Sequence, residues 1–139
     1  MTNEENKVLV RRYIEEVWNA RDVSAVERFF APDYVRRLSP TESLDAAGQK
    51  ERIEGFLAAF PDIRFEIGDV FGEGGLVTFR ATIFGTHEGG FAGVAPTGRR
   101  IRVSLIDVVR VEGGRFAEHW GGPDMLDLMR HIEAEASPE

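Results

Sequence analysis

The chain has 139 residues, 42% hydrophobic and 29% charged, which suits one domain over residues 1–139 with a core of its own. It contains no cysteine, so disulfides, thiolate catalysis and cysteine-held zinc or iron–sulfur centres are excluded. Its net charge of −7 would repel a phosphate backbone, so no nucleic-acid partner is expected.

The opening Met1 to Asn6 is polar and acidic, unlike a secretory signal, and no apolar run approaches the ~18 residues of a membrane span. A cytoplasmic protein without a membrane partner is therefore expected. Thr2 and Glu5 have capping-box spacing. Val10, Tyr13, Ile14, Val17 and Trp18 recur as one face of a first helix. A short second helix is predicted over Val23 to Phe30, capped by Asp22 or Ser24 and ended by Pro32. Tyr34-Val35 reads as the start of a short strand. A third helix runs to about Ala59, with Ile53, Phe56, Leu57 and Phe60 on one face and Pro61 as its stop.

The period then changes from helical to alternating. Ile63, Phe65 and Ile67 alternate, as do Val77, Phe79, Ala81 and Ile83, and then Ile101, Val103 and Leu105. Gly113-Gly114 turns the chain into Arg115 to Trp120. A last helix starts near Asp124, with Met125, Leu128, Met129 and Ile132 as its stripe; Ala134 to Glu139 is expected to fray. Helices followed by an antiparallel meander read as α+β. Long strands covering three helices should curl into a cone with a pocket inside.

Asp107 is the most informative position. Its face of the strand otherwise reads Ile101, Val103, Leu105, Val109 and Val111. A carboxylate there is either tied to Arg80, Tyr34 or backbone N–H groups, or lines a cavity as a general acid or base. His87 continues the face of Ile83 unless Gly85 introduces a bulge; otherwise it is a loop-edge histidine. The position of His119 depends on hairpin register. A two-residue Gly113-Gly114 turn sets Asp107 against Trp120, whereas a three-residue loop with a glycine bulge sets it against His119. The apolar character of Phe116 and Trp120 favours the first arrangement.

Wall positions for a substrate are Tyr13, Trp18, Phe56 and Phe60 from the helices and Tyr34, Phe79, Leu105 and Trp120 from the strands, although aromatic helix faces also serve as plain core. Arg80 reads as a sheet-face ion pair and Asp124 as a helix cap. Three histidines without an HExxH or a close pair make no metal motif, and neither GxSxG nor a phosphate-binding glycine loop is present. No metal and no cofactor are expected.

Several stretches together resemble the SnoaL-like polyketide cyclases, or ester cyclases, of the NTF2-like superfamily. They are Phe60-Pro61-Asp62-Ile63-Arg64-Phe65, Gly85-Thr86-His87, Gly93 to Arg100 and Gly113 to Trp120, with Ala31-Pro32-Asp33-Tyr34 and the Tyr13/Trp18 helix in support. The resemblance implies an NTF2-like cone: a curved, mainly antiparallel sheet around N-terminal helices, with a C-terminal helix, usually in a homo-oligomer. It implies cofactor-independent aldol ring closure of a hydrophobic polyketide. By the resemblance, the family's pocket histidine corresponds to Asp107 and its acid/base aspartate to Gly121, a departure. It also sets positions 107, 119 and 121 on one face, and that register is preferred here.

The expected function is thus polyketide cyclase-like acid/base catalysis by Asp107 with His119 or His87, on a small hydrophobic polyketide or cyclic carbonyl compound. Alternatives are a non-catalytic small-molecule-binding or dimerisation domain, or another NTF2-like dehydratase, isomerase or hydroxylase. An outer apolar row at Ile106 and Val108 suggests a homodimer or higher homo-oligomer.

Overall fold

The computed structural model describes residues 1–133, so the expected fraying of Ala134 to Glu139 lies outside the described residues. Helix α1 spans Asn3–Tyr13 and opens on the anticipated capping box. The Thr2 hydroxyl accepts from the Glu5 N–H at 3.1 Å, and the Glu5 carboxylate accepts from the Thr2 N–H at 2.8 Å. The helix then widens into a π-helical stretch, Ile14–Asn19. There the N–H groups of Ala20 and Asp22 reach five residues back, to the Glu15 and Val17 carbonyls. That widening sets Tyr13 and Trp18, five apart, close enough for the indole N–H to donate to the Tyr13 hydroxyl at 3.1 Å.

The second helix is shorter than expected and is a 3-10 helix, Val23–Arg28, with Asp22 as its cap. Pro32 does not end it. Instead Pro32 lies inside strand β1, Phe30–Ser39. Its missing N–H is tolerated because the ladder with the neighbouring strand is irregular between Phe30 and Val35. Strand β1 is ten residues long, and it turns into β2, Glu42–Leu44, which the sequence did not signal. Helix α2 covers Ala46–Ala59, capped by the Asp45 carboxylate on the Gly48 N–H.

Strands β3 (Arg64–Glu73), β4 (Leu76–Thr86), β5 (Arg100–Glu112) and β6 (Arg115–Pro123) follow, then α3 (Met125–Glu133). The sheet order is β2-β1-β6-β5-β4-β3, with only β1–β6 parallel. The sheet is curved and unclosed, and its inner face wraps the N-terminal helices. Alternation continues through Gly85 with no bulge, since Gly85 pairs Ile101 and Thr86 pairs Arg100. Asp124 caps α3 through the Asp127 N–H at 3.0 Å. Arg80 pairs Asp69 on the exposed outer surface, at 2.5 Å. Among the described residues no helix is long and apolar enough to cross a membrane.

The β5–β6 hairpin resolves the register in a way neither simple turn would. Glu112 pairs Arg115 across a two-residue turn, and the ladder then shifts between Arg110 and Val111, where Ala117 is the extra residue. Beyond that bulge Val109 opposes His119 and Asp107 opposes Gly121. Asp107 and His119 therefore share the inner face, and Trp120 is turned to the outer one. Asp107 is 5% exposed and His119 is 2% exposed.

Gly121 makes this close pairing possible. Its φ is +94°, and a Cβ there would lie 2.2 Å from the Ile106 carbonyl oxygen and 3.1 Å from an Asp107 carboxylate oxygen. Both the conformation and the contact disfavour any side chain. Gly121→Ala should lower the urea unfolding midpoint by the equivalent of about 2–4 kcal/mol. A midpoint within error of the wild type would show that β5 and β6 do not approach this closely.

Candidate active site

Four parts of the chain meet at one concavity. The N-terminal helical segment brings Tyr13 and Trp18, and β1 brings Arg36. Helix α2 brings Gln49, Arg52 and Phe56. The sheet brings Phe65, Ile83, Leu105, Asp107, His119 and Pro123. The concavity measures about 340 Å³ out to its open mouth, and about 20 Å³ of it admits the centre of a water molecule. It is thus narrow inside, with room for roughly one water.

The polar end is a hydrogen-bonded row. His119 Nε2 lies 2.7 Å from Asp107 Oδ2, and its Nδ1 lies 3.1 Å from the Tyr34 hydroxyl. The tautomer that satisfies both carries its proton on Nε2 and donates it to the carboxylate, while Tyr34 donates to Nδ1. Burial pushes the Tyr34 and Tyr13 hydroxyls well above their ordinary pKa, so both stay protonated and able to donate. Tyr13 accepts from Trp18, which leaves its own proton free for a ligand. The other oxygen of Asp107, Oδ1, has no hydrogen-bond partner. The nearest cation is Arg36, whose Nη1 is 3.9 Å from it.

Of the expected site residues, Tyr13, Trp18, Phe56, Leu105, Asp107 and His119 line the concavity. Tyr34 stands behind His119. Phe79 is buried opposite Asp107 on β4 and does not line it. Trp120 lies on the outer face beside Arg37 and Leu38. His87 sits past the end of β4, against Phe60, with Nδ1 2.9 Å from the Thr97 hydroxyl. The structure does not bring His87 or Phe60 to the Asp107–His119 pair.

Arg36, Gln49 and Arg52 were not anticipated. Arg36 could have been found by alternation, since it lies two residues beyond Tyr34 on the same strand. Gln49, Arg52 and Phe56 share one face of α2 by helical spacing. What sequence could not supply was that these faces converge.

Burial depresses the pKa of His119, and although the Asp107 charge and hydrogen bond pull the other way, burial prevails. The unfolded chain thus takes up a proton at His119 first, near the ordinary ~6.5, while the folded protein resists it to lower pH. Between those two values the unfolded state binds more protons, so stability rises with pH. The contribution of His119 is intact above about pH 6.5 and is lost as pH falls through the folded value. In urea unfolding at about pH 7.5 and about pH 5.5, the wild type should lose more stability on acidification than His119→Gln. Equal losses would place the proton uptake elsewhere.

A protein-family model described as SnoaL-like polyketide cyclase matches residues 8–132. The aklanonic acid methyl ester cyclase of Streptomyces sp. (strain C5) is 28% identical over 94% of this chain and 84% of its own. A candidate hydroxylase from Streptomyces galilaeus has a similar structure, with a TM-score of 0.88 at 30% identity over 99% of this chain and 87% of that one. A candidate polyketide cyclase from Acidithiobacillus ferrooxidans gives a TM-score of 0.83 at 30% identity, over 98% and 100%. With an NTF2-like α+β architecture and a model match across nearly its whole length, the chain belongs to the SnoaL-like polyketide cyclase family.

Proposed function

We propose that this protein closes a ring in a hydrophobic polyketide or cyclic carbonyl substrate by an intramolecular aldol reaction, with Asp107 as its general base and acid. One observation carries the reading: a buried carboxylate lining the concavity, whose Oδ2 is held by His119 while Oδ1 has no hydrogen-bond partner. A base needs a free lone pair and a fixed orientation, and Asp107 has both.

In this reading Oδ1 removes a proton from carbon next to a substrate carbonyl. The Tyr13 hydroxyl donates to the enolate oxygen, and the surrounding low dielectric strengthens that bond. The enolate carbon then attacks a second carbonyl carbon of the same molecule, forming the new carbon–carbon bond. The resulting alkoxide takes the proton back from Asp107, which restores the carboxylate. His119 holds Oδ2 throughout and Tyr34 holds His119, so both are positioning residues. The aromatic walls of Trp18, Phe56 and Phe65 would keep water away and orient flat rings. The enclosed space is smaller than a multi-ring compound, so in this reading the half-buried Arg52 swings aside on binding.

The missing side chain at Gly121, where the family resemblance expects an aspartate, supports moving the acid/base role to Asp107. Space is lacking there for any Cβ. A homodimer through the outer sheet face belongs to the same reading, because Ile106 is 56% exposed there. Sedimentation velocity should show an assembly that Ile106→Glu dissociates, and a monomeric wild type would sink this part.

The decisive assay is spectrophotometric, on an aromatic polyketide whose last ring is unclosed, offered both as its free acid and as a methyl ester like the compound named for the Streptomyces cyclase. Asp107→Asn should retain the fold and lower turnover by about 10³-fold. Turnover equal to wild type would remove Asp107 from the chemistry. The similarity to a candidate hydroxylase favours a second reading, hydroxylation of a related substrate. Oxygen consumption in the presence of an added reductant, without ring closure, would select it.

A further inference from the structure

The cavity holds more positive charge than its own carboxylate can balance. Arg36 and Arg52 both line it, and Asp107 is the one carboxylate among the lining residues. The pKa depression at His119 makes that imidazole neutral near pH 7, so it adds no compensating or competing charge there. The result is one uncompensated guanidinium inside a chain whose net charge is −7.

Arg36 is 1% exposed, yet its hydrogen bonding is incomplete. Nη2 donates to the Gly121 carbonyl at 2.6 Å, while Nε and Nη1 have no hydrogen-bond partner. Its ion pair with Asp107 is long, at 3.9 Å. Gln49, 1% exposed, also leaves its side-chain oxygen unpartnered at this cavity. Arg52 makes no ion pair among the described residues and packs its guanidinium over the Phe56 ring at 5.2 Å. The two guanidinium groups converge on the same spot, since a Cβ on Gly122 would lie 3.1 Å from Arg36 Nη2 and 4.0 Å from Arg52 Nη2. Burial lowers the pKa of Arg52, and the nearby Arg36 charge lowers it further.

Holding a fully buried guanidinium this close to a half-buried one is unfavourable unless something negative completes the site. A transient enolate would do so for only part of each turnover. A permanent anion on the ligand would do so from the moment of binding, through charge-assisted hydrogen bonds from both arginines. We infer that Arg36 and Arg52 form a carboxylate-binding subsite, and that the substrate of this protein carries a free carboxylate beside its reacting carbonyls rather than that group masked as an ester. This rests on the concavity being the substrate site, as the proposed function holds. It also sets this chain apart from the relatives named for a methyl ester.

The test reads binding and not turnover, so it separates from the test of Asp107. Naphthalene-2-carboxylate and naphthalene-2-carboxamide differ in charge and hardly in shape. Isothermal titration at low salt should give at least about tenfold tighter binding of the carboxylate, the range expected for a charge-assisted contact. Arg52→Gln should weaken carboxylate binding more than carboxamide binding and so cut that preference by at least about threefold, and because Arg52 is half-buried its loss leaves the core intact. Arg36→Lys, which keeps the buried charge, should weaken carboxylate binding while the protein still melts cooperatively. Equal affinity for the two probes, preference for the carboxamide, no binding of either, or an unchanged preference in Arg52→Gln would each overturn the subsite. If Asp107→Asn keeps full turnover while the carboxylate preference stands, the catalytic reading fails and the anion site does not.

Discussion

A carboxylate buried in an apolar stripe is the constraint to which the interior answers. A carboxylate without partners inside the sheet would be strongly unfavourable. Three strands contribute to holding it. Strand β6 supplies His119 at 2.7 Å, and β1 supplies Tyr34 behind His119 and Arg36 at the far oxygen. Strand β5 itself supplies the alternation that turns Asp107 inward. The bulge at Ala117 and the missing side chain at Gly121 serve the same end. One brings His119 to the inner face, and the other lets β6 pass close beside Asp107.

The aromatic packing around this row explains its rigidity. Tyr13 meets Phe29, Phe116 and His119 edge-on, with ring centroids 5.1 to 6.4 Å apart. Phe30 stacks on Tyr34 at 3.9 Å. Such contacts fix the imidazole and both tyrosine hydroxyls in a dry setting, where each hydrogen bond counts for more than it would in water. The opposite wall is different. Helix α2 reaches the cavity only through Gln49, Arg52 and Phe56, and Arg52 is only half-buried. The hydrogen-bonded row thus sits on the sheet side of the site, and the half-buried charge of Arg52 sits on the helix side.

Family membership sets the architecture and the general type of chemistry, while the interior residues set what this chain does with them. Proteins named as a cyclase and as a candidate hydroxylase share this scaffold at comparable identity. The scaffold tolerates this because the curved sheet and its helices form the walls independently of which polar groups point inward. An Asp–His–Tyr row beside two arginines is one such set, suited to moving protons next to a stabilised negative charge.

Much of this was legible in the chain itself. Period-2 alternation fixed β4 and β5 and turned Asp107 inward, because a strand cannot send an odd residue to the even face. The capping box, the Asp124 cap and the helix ending before Pro61 rest on local hydrogen bonding and sterics, which act within a few residues. Strand β1 was only half visible, since Pro32 and the paired Arg36-Arg37 break its apolar pattern; its identity as a strand comes from pairing with β6, far away in sequence. Turn length alone left the hairpin register open because a bulge beyond the turn acts with it; the family resemblance pointed to the shared face of Asp107, His119 and Gly121 that the ladder has, and the packing of Phe116 and Ala117 into the core holds it. His87 and Trp120 were placed near the site by pattern and removed from it by geometry. Sequence therefore determined which residues face inward along most elements. Tertiary structure alone decided which inward-facing residues meet, because the convergence of Arg36, Arg52, Asp107 and His119 depends on sheet curvature and helix docking that no local spacing encodes.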